Sequence, residues 1–255
     1  MKILDKKQCT VSLTSHQKRF STLPLCLESL FHQTFSYDRI ILYLDNSEDL
    51  KQLPNEIKYF ENRGLKIIKT DDALGCHTKY FYAMSDFPND IIITVDDDVM
   101  YSPVCLEKLY SSYLRYPKAV SANRVHRISF DTEGSIKPYL EWDFEYDNIP
   151  EPAVNLFATG VGGVLYPPHI LPQLTFDKEL IKKYCLYADD IWLKFMEIIN
   201  HVSVVYTGIH PQHPKQIPGT KETGLFQYNK AHGINDLCIK EIKKFLVEAK
   251  YIQEG

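Results

Sequence analysis

The feature that most constrains this chain is an apolar run that ends in three adjacent carboxylates. Residues 91 to 98 read Ile-Ile-Ile-Thr-Val-Asp-Asp-Asp, and the β-branched residues in this run favour a buried strand. Three like charges repel one another wherever the chain is not fully exposed, and burial raises the pKa of each carboxyl group. We therefore expect a cation, either a metal ion or a basic partner, at the end of this strand.

Alternate side chains of an extended segment share a face. Asp96 and Asp98 are therefore predicted to converge on one ligand, while Asp97 turns away toward the scaffold. Carboxylate oxygens without a nearby cysteine or histidine pair suit Mg²⁺ or Mn²⁺, which fill their remaining coordination positions with water and phosphate oxygens. The alternative is an acidic turn that only meets solvent.

Composition limits the partners and the compartment. A chain of 255 residues with 44% hydrophobic residues can bury one substantial core, and we expect a single domain over residues 1–255. The net charge of -4 and the lack of a Lys/Arg-rich block argue against nucleic acid as a partner. No apolar stretch is long enough to span a bilayer, and the first residues lack a signal-peptide apolar region, so we expect a cytoplasmic protein.

Short apolar runs alternate with helical patterns through the first hundred residues. Strands are predicted at residues 9–13, 39–44, 65–69 and 91–95, with amphipathic helices between them. This alternation predicts an α/β fold in which a mostly parallel central sheet carries helices on both faces. Ligands of such sheets gather beyond the carboxyl ends of the strands, so the polar residues that follow each strand should face one crevice.

The second half of the chain gives a less regular pattern. Predicted elements are helices at 103–116, 176–185, 188–199 and 235–252, strands at 119–122 and 202–206, and an irregular insertion at 124–152. Residues 158–163 form a glycine-rich loop without the Walker lysine or the Rossmann spacing. A phosphate cradle and close backbone packing are both compatible with such a loop.

Five segments, taken in order, resemble one known family. They are Val-Ser-Leu-Thr-Ser-His-Gln-Lys-Arg at 11–19, Leu-Tyr-Leu-Asp-Asn at 42–46, Leu-Gly-Cys-His-Thr-Lys-Tyr at 74–80, Val-Asp-Asp-Asp at 95–98 and Ala-Asp-Asp-Ile-Trp at 188–192. Together they are similar to nucleotide-sugar glycosyltransferases of the GT-A fold, in particular the family 2 type of bacterial surface-polysaccharide assembly. The resemblance implies a Rossmann-like sheet with a nucleotide-sugar-binding half, about 1–122, and a small mixed acceptor-side region within about 123–255.

The resemblance also implies, by position, which residues bind the donor. Thr14 lies where the first strand meets the nucleotide, and Asp45 lies where a carboxylate holds the nucleobase. Lys79 occupies the place of a basic residue that approaches the diphosphate. From the sequence alone, an exposed lysine on a helix is an equal alternative for Lys79.

The acidic segment is implied to bind both the donor and the cofactor, Mn²⁺ or Mg²⁺. Asp96 matches the nucleotide-side aspartate and Asp98 the metal-binding one, while Asp97 belongs to the same donor-binding segment. His210 lies in a loop where some GT-A enzymes place another metal ligand. His210 and His213 in a proline-rich loop are also compatible with simple surface residues.

The pair Asp189-Asp190 precedes an apolar helical pattern. An isolated aspartate pair at this place is typical of helix capping. The resemblance implies instead the catalytic base of inverting GT-A enzymes, and we assign that role to Asp190, with Asp189 as the next candidate. In that role Asp190 accepts a proton from the acceptor hydroxyl as its oxygen attacks the anomeric carbon.

Three further regions allow two interpretations each. The segment after His210, up to Gly233, has the composition of a loop and is predicted to form a mobile lid. The aromatic residues of 142–157 alternate with acidic ones, which suits a half-buried strand or an acceptor-binding surface. The basic amphipathic C-terminal helix favours packing on the core over peripheral attachment to a membrane.

Taken together, the resemblance implies a metal-dependent transferase that moves a sugar from a uridine diphosphate donor to a hydroxyl of a surface glycan or glycolipid, with inversion. A sugar nucleotidyltransferase is a weaker alternative, because no glycine-rich, lysine-bearing loop follows the first strand. A scaffold or glycan-binding protein with a transferase-like fold is the non-catalytic alternative.

Overall fold

The computed structural model describes residues 7–148, 151–209, 214–220 and 225–253. The strands of these residues are β1 (Cys9–Thr14), β2 (Arg39–Asp45), β3 (Leu65–Thr70), β4 (Ile91–Thr94), β5 (Val99–Met100), β6 (Val120–Ala122), β7 (Val125–Arg127), β8 (Leu156–Ala158), β9 (Val164–Tyr166), β10 (Val204–Tyr206) and β11 (Lys215–Gln216). The α-helices are α1 (Leu23–Phe31), α2 (Ile57–Asn62), α3 (Thr78–Asp86), α4 (Cys105–Arg115), α5 (Lys178–Tyr184), α6 (Asp189–Ile199), α7 (Leu225–His232) and α8 (Ile234–Glu248).

A seven-stranded sheet forms the centre of the molecule, in the order β10-β6-β9-β4-β1-β2-β3. β1 pairs in parallel with β2 and β4, β2 pairs in parallel with β3, and β6 pairs in parallel with β10. β9 runs antiparallel between β4 and β6. The expected mostly parallel sheet is confirmed, and strands from both predicted halves of the chain belong to it.

Helices cover both faces of the sheet, because successive strand residues point to opposite sides. Val11 and Leu13 of β1 pack in one apolar cluster with α1, α2 and α4. On the other face α3 packs against β1, β2 and β4, and α6 packs in a second apolar cluster with β6, β9 and β10. α8 packs against α6 from outside the sheet, so the expected core-packed C-terminal helix is observed.

The first four predicted strands differ from β1, β2, β3 and β4 by one residue at the carboxyl end. Buried β-branched and leucine residues make these runs easy to recognise. α1 begins at Leu23 with Pro24 in its first turn, where a missing backbone N–H has no cost to the helix. The positions of the strand ends in the first half were therefore readable from the sequence.

Two strands that were not predicted from the sequence lie on either side of the glycine-rich loop. β8 precedes the loop and pairs with β7, and β9 follows it and enters the central sheet. Each has three residues, too few to show a period. Their place in the sheet comes from tertiary pairing and not from local pattern.

Two other expectations are wrong. The alternating residues around Trp142 do not form a strand: Tyr139–Glu141 is a turn of 3-10 helix, and one isolated bridge joins Arg127 to Asp143. Trp142 and Phe157 are buried with ring centroids 5.2 Å apart, so aromatic packing explains the pattern. The segment predicted as a loop up to Gly233 contains α7, whose sequence lacks a clear apolar face.

Among the described residues, no helix has both the length and the apolar character needed to cross a bilayer.

Close backbone packing explains the second glycine of the loop. A Cβ atom on Gly162 would lie 2.7 Å from the Cβ and 2.8 Å from the backbone nitrogen of Arg124. Backbone atoms cannot move aside as the end of a side chain can. A Cβ atom on Gly160 would meet only the ends of three polar side chains, at 3.0 Å or more.

We predict that Gly162→Ala destabilises the fold by about 1–3 kcal/mol, because it forces two backbone segments apart. The melting temperature should fall by about 2–4 °C for each kcal/mol in a domain of this size. Gly160→Ala is the matched control and should melt within about 2 °C of the parent protein. Equal melting temperatures for Gly162→Ala and the parent protein would contradict the packing explanation.

Candidate active site

The acidic segment lies between the end of β4 and the start of β5. The middle carboxylate, Asp97, is buried and accepts a hydrogen bond from the Ser15 hydroxyl. Arg19 Nη1 lies 2.5 Å from Asp97 Oδ1, and Arg19 Nη2 lies 3.0 Å from Asp98 Oδ2. Ser15 and Arg19 belong to the segment that leaves β1, so the segment after the first strand holds the acidic turn in place.

Asp98 is also attached to the second half of the chain. Its carbonyl oxygen accepts the backbone N–H of Ile217 at 2.9 Å, beside the antiparallel pair of β5 and β11. The Gln216 side-chain nitrogen lies 3.3 Å from Asp98 Oδ2. Burial, and then the negative charge of Asp96, raise the pKa of the Asp98 carboxyl to about 6. The segment thus concentrates negative charge in a partly buried place.

Lys79 joins the acidic segment to the start of α6. Its ammonium nitrogen lies 2.6 Å from Asp96 Oδ1 and 3.0 Å from Asp189 Oδ2. The side chain of Lys79 is 6% exposed, which excludes the interpretation as a solvent-exposed lysine. Burial alone would lower the pKa of Lys79, but the charges of Asp189 and Asp96 outweigh burial and raise it. Lys79 therefore stays protonated between the two carboxylates.

The aspartates at 189 and 190 begin α6 but do not cap it. The residue before the helix is Ala188, and it forms no side-chain capping bond. The carboxylate oxygens of Asp190 instead accept the backbone N–H of Gly160, each at 3.1 Å. Capping therefore does not explain this pair.

Asp189 and Asp190 have opposite pKa shifts although they are adjacent. Burial raises the pKa of Asp189, but the charge and hydrogen bond of Lys79, together with smaller contributions from His77 and Cys76, outweigh it, so the pKa lies below the usual value. Burial, followed by the charge of Asp189, raises the pKa of Asp190 to about 8. At neutral pH Asp189 is ionised and most Asp190 carboxyl groups hold a proton.

Gly160 marks the point where these side chains meet. A Cβ atom built there would lie 3.0 Å from Lys79 Nζ, 3.2 Å from Asp190 Oδ1 and 3.5 Å from Asp96 Oδ1. The glycine loop thus supplies close packing on Arg124 and a backbone donor to Asp190. The structure brings Lys79, Asp96, Asp189 and Asp190 together, as the strand and helix ends predicted.

Thr14 and Asp45 lie at the carboxyl ends of the neighbouring strands β1 and β2. Asp45 Oδ1 accepts hydrogen bonds from the backbone N–H and the hydroxyl of Ser47, at 2.8 Å and 2.5 Å. Its other oxygen, Oδ2, is buried and has no hydrogen-bond partner. A buried acceptor without a donor is costly, so this oxygen suits a ligand N–H group.

His210 and His213 lie outside the described residues, so the additional metal ligand stays a prediction. Residues 211–213 and 221–224 of the segment predicted as a lid lie there too, whereas 214–220 and 225–233 are described. Arg19, Ser15 and Gly160 are site residues that the sequence analysis did not assign. Arg19 could have been predicted as a site residue, because it follows β1 closely and a buried acidic turn needs a basic partner.

The residues of the site fit a divalent cation of the Mg²⁺ or Mn²⁺ type. Among the described residues, five acidic side chains of the site lie near two basic ones, Lys79 and Arg19. The acidic side chains are those of Asp96, Asp97, Asp98, Asp189 and Asp190. No three acidic, histidine or cysteine side chains of the described ranges form a complete ligand set. Asp96 and Asp98 supply two hard oxygen donors, and such ions commonly take their other ligands from water and phosphate.

We predict that Lys79→Met lowers the free energy of unfolding by about 3–5 kcal/mol, because two buried carboxylates lose their shared cation. Adding Asp189→Asn should recover about 1 kcal/mol or more, since one of the two charges is then removed. Urea unfolding at neutral pH measures both effects. Lys240→Met, on the exposed side of α8, is the control and should change stability by less than about 0.5 kcal/mol. If Lys79→Met lowered the free energy of unfolding as little as Lys240→Met, the ion pairs of Lys79 would not stabilise the fold as described.

Comparison with solved structures shows a shared fold. The crystal structure of S. aureus TarS 1-349 matches with a TM-score of 0.51 and 13% identity, over 85% of this chain and 62% of that chain. A structure of CMP:2-keto-3-deoxy-manno-octonic acid synthetase complexed with CTP matches with a TM-score of 0.50 and 12% identity, over 88% of this chain and 99% of that chain. The chain spans 38% of the longer S. aureus TarS structure. No curated protein sequence matches this chain.

The family comparison is more specific. The model of "Glycosyl transferase family 2" matches residues 10–163, which is more than half of the chain. The match begins in β1, includes Lys79 and the acidic segment, and ends at the last glycine of the glycine-rich loop. The central sheet and its helices agree with the Rossmann-like GT-A fold that the sequence predicted. The chain belongs to glycosyl transferase family 2.

Proposed function

We propose that this protein is a metal-dependent glycosyltransferase that moves one sugar from a UDP-sugar to a hydroxyl group of a surface glycan or glycolipid acceptor. The observation that carries the proposal is the meeting of two acidic groups at Lys79. Asp96 approaches from the end of β4 and Asp189 from the start of α6, with Asp190 beside them. A donor-side carboxylate and a base thus lie at one place, as transfer between two bound substrates requires.

On the donor side, Asp45 and Thr14 would bind the nucleoside. Asp45 offers the buried oxygen that lacks a donor, which fits an N–H group of a nucleobase. Asp96 and Asp98 would hold Mg²⁺ or Mn²⁺, which supplies positive charge against the leaving diphosphate. Lys79, protonated and almost fully buried, adds a second positive charge near the same place.

On the acceptor side, Asp190 is the proposed base. It would accept the proton of the acceptor hydroxyl while that oxygen attacks the anomeric carbon from the side opposite the diphosphate, which inverts the centre. The Gly160 N–H holds the carboxylate in position. Burial, followed by the charge of Asp189, raises the pKa of Asp190 to near the operating pH, where a base works well.

The pH dependence follows from the raised pKa of Asp190. A base acts only when it is ionised, so kcat/KM should rise about tenfold per pH unit below pH 8 and level off above it. Asp190→Asn should lower kcat by a factor of about 10² to 10⁴ and keep donor affinity. The assay is release of UDP from a panel of UDP-sugars with an alcohol acceptor. A pH-independent rate, or parental activity of Asp190→Asn, would show that Asp190 is not the base.

Metal dependence is tested by binding rather than by turnover. We expect UDP to bind at least about tenfold more weakly when Mn²⁺ is removed or when Asp98 is replaced by Asn. Calorimetric titration with UDP measures both. Asp143→Asn, which removes a half-exposed carboxylate paired with Arg127 on the insertion, is the control and should bind like the parent protein. UDP affinity that does not respond to Mn²⁺ would refute the metal assignment.

The same assays separate the alternatives. UDP binding without release of sugar from any donor would indicate a non-catalytic binding protein. Release of pyrophosphate from a nucleoside triphosphate and a sugar phosphate would indicate a nucleotidyltransferase.

A further inference from the structure

A cavity lies on the side of the molecule that carries α7 and α8. It opens between the 3-10 turn Tyr139–Glu141 and the junction of the two helices at Gly233, where φ is 60°. Its volume is about 310 Å³, including the part open to solvent. The residues around it are Tyr139, Leu140, Asn229, Lys230, Asn235 and Asp236.

The lining has the chemistry of a carbohydrate site. Two amides, a carboxylate and an ammonium group surround a tyrosine ring and a leucine, so polar groups that can orient hydroxyls accompany an apolar wall. Asn229 donates to the Tyr187 carbonyl at 2.8 Å, and its own oxygen is buried without a partner. Asp236 Oδ1 accepts the Tyr139 N–H at 2.7 Å, which fixes the carboxylate at the edge of the cavity.

The cavity is built on elements that contact the helix of the proposed base. Asn229 donates its hydrogen bond to the carbonyl of Tyr187, two residues before Asp189. α8, which carries Asn235 and Asp236, packs against α6, the helix that begins at Asp189. The cavity therefore lies on the same side of the fold as the helix that carries Asp190.

An exposed aromatic pair extends this surface. Tyr187 and Tyr228 are each 47% exposed, and their rings lie 5.8 Å apart in an edge-to-face arrangement. Tyr228 is the neighbour of Asn229 in the sequence. Exposed rings beside a polar cavity suit a sugar chain, whose C–H faces pack on aromatic rings while its hydroxyls bind polar groups.

We propose that this cavity binds one uncharged sugar unit of the acceptor, with Asn235 and Asp236 contacting its hydroxyls and Tyr139 forming part of the wall. The inference rests on the proposed function. It adds the place where an acceptor sugar binds and the residues that contact it.

The test uses the full chain with the UDP-sugar that it hydrolyses and three soluble acceptors, the methyl glycosides of glucose, galactose and N-acetylglucosamine. Asn235→Trp fills the cavity from a partly exposed position in the first turn of α8. We expect the KM for the glycoside to rise at least about tenfold and kcat to change less than about twofold, because acceptor binding is lost before the reacting atoms are disturbed. Lys240→Trp adds the same side chain on an exposed position of α8 and is the matched control.

A second variant distinguishes a blocked cavity from a misfolded protein as the cause of a raised KM. Asn235→Ala leaves the space open and removes the amide, and its KM should rise about threefold with unchanged thermal unfolding. Failure of the wild-type protein to hydrolyse any UDP-sugar would refute the proposed function itself. Donor hydrolysis without saturable transfer to any of the three glycosides would refute the subsite alone. An Asn235→Trp variant with the KM of Lys240→Trp would refute it as well.

Discussion

The ion pairs of Lys79 are the contact on which the site depends. One buried ammonium group neutralises a carboxylate from the end of a central strand and another from the start of a helix more than ninety residues later in the chain. Without a cation between them, these carboxylates would repel each other in a place with little solvent. Lys79 therefore holds the end of β4 and the start of α6 together and favours the ionised form of Asp189.

The backbone of the glycine-rich loop also positions the residues of the site. β9 runs against its neighbours, so the glycine-rich loop before it returns to the carboxyl ends of β4 and β6. Gly162 permits contact with the Arg124 backbone, and Gly160 then presents its N–H to Asp190. A side chain at position 162 would push the loop away from the Arg124 backbone and so displace the N–H that Asp190 accepts.

The sequence was sufficient where a local pattern carries the information. Long runs of β-branched residues located β1 to β4, and the apolar run ending in Asp96–Asp98 located the acidic end of the sheet. The three-residue strands β8 and β9 have no period to detect, and their positions follow from pairing with residues far away in the sequence. α7 was missed because its apolar residues do not fall on one face.

Individual roles were harder to predict than the site itself. The family pattern places Lys79 near the diphosphate, which stays a prediction, and the sequence did not indicate its contacts with Asp96 and Asp189. Asp189 and Asp190 look equivalent in the sequence, but contact with Lys79 lowers the pKa of Asp189, whereas burial and the charge of Asp189 raise the pKa of Asp190. These contacts join residues that are far apart in the sequence, so the pKa shifts that they cause cannot be predicted from a local sequence pattern.

The α7–α8 pair lies beyond the residues that the family model matches. α8 packs on α6 with buried apolar residues, and the Asn229 amide of α7 donates a hydrogen bond to the Tyr187 carbonyl in the loop before α6. The exposed positions of this helix pair can therefore change while the sheet and its carboxylates stay intact. Under the proposed function, duplicated genes of this type would have a direct route to new acceptors, in which selection changes exposed positions of α7 and α8 and keeps the carboxylates of the site.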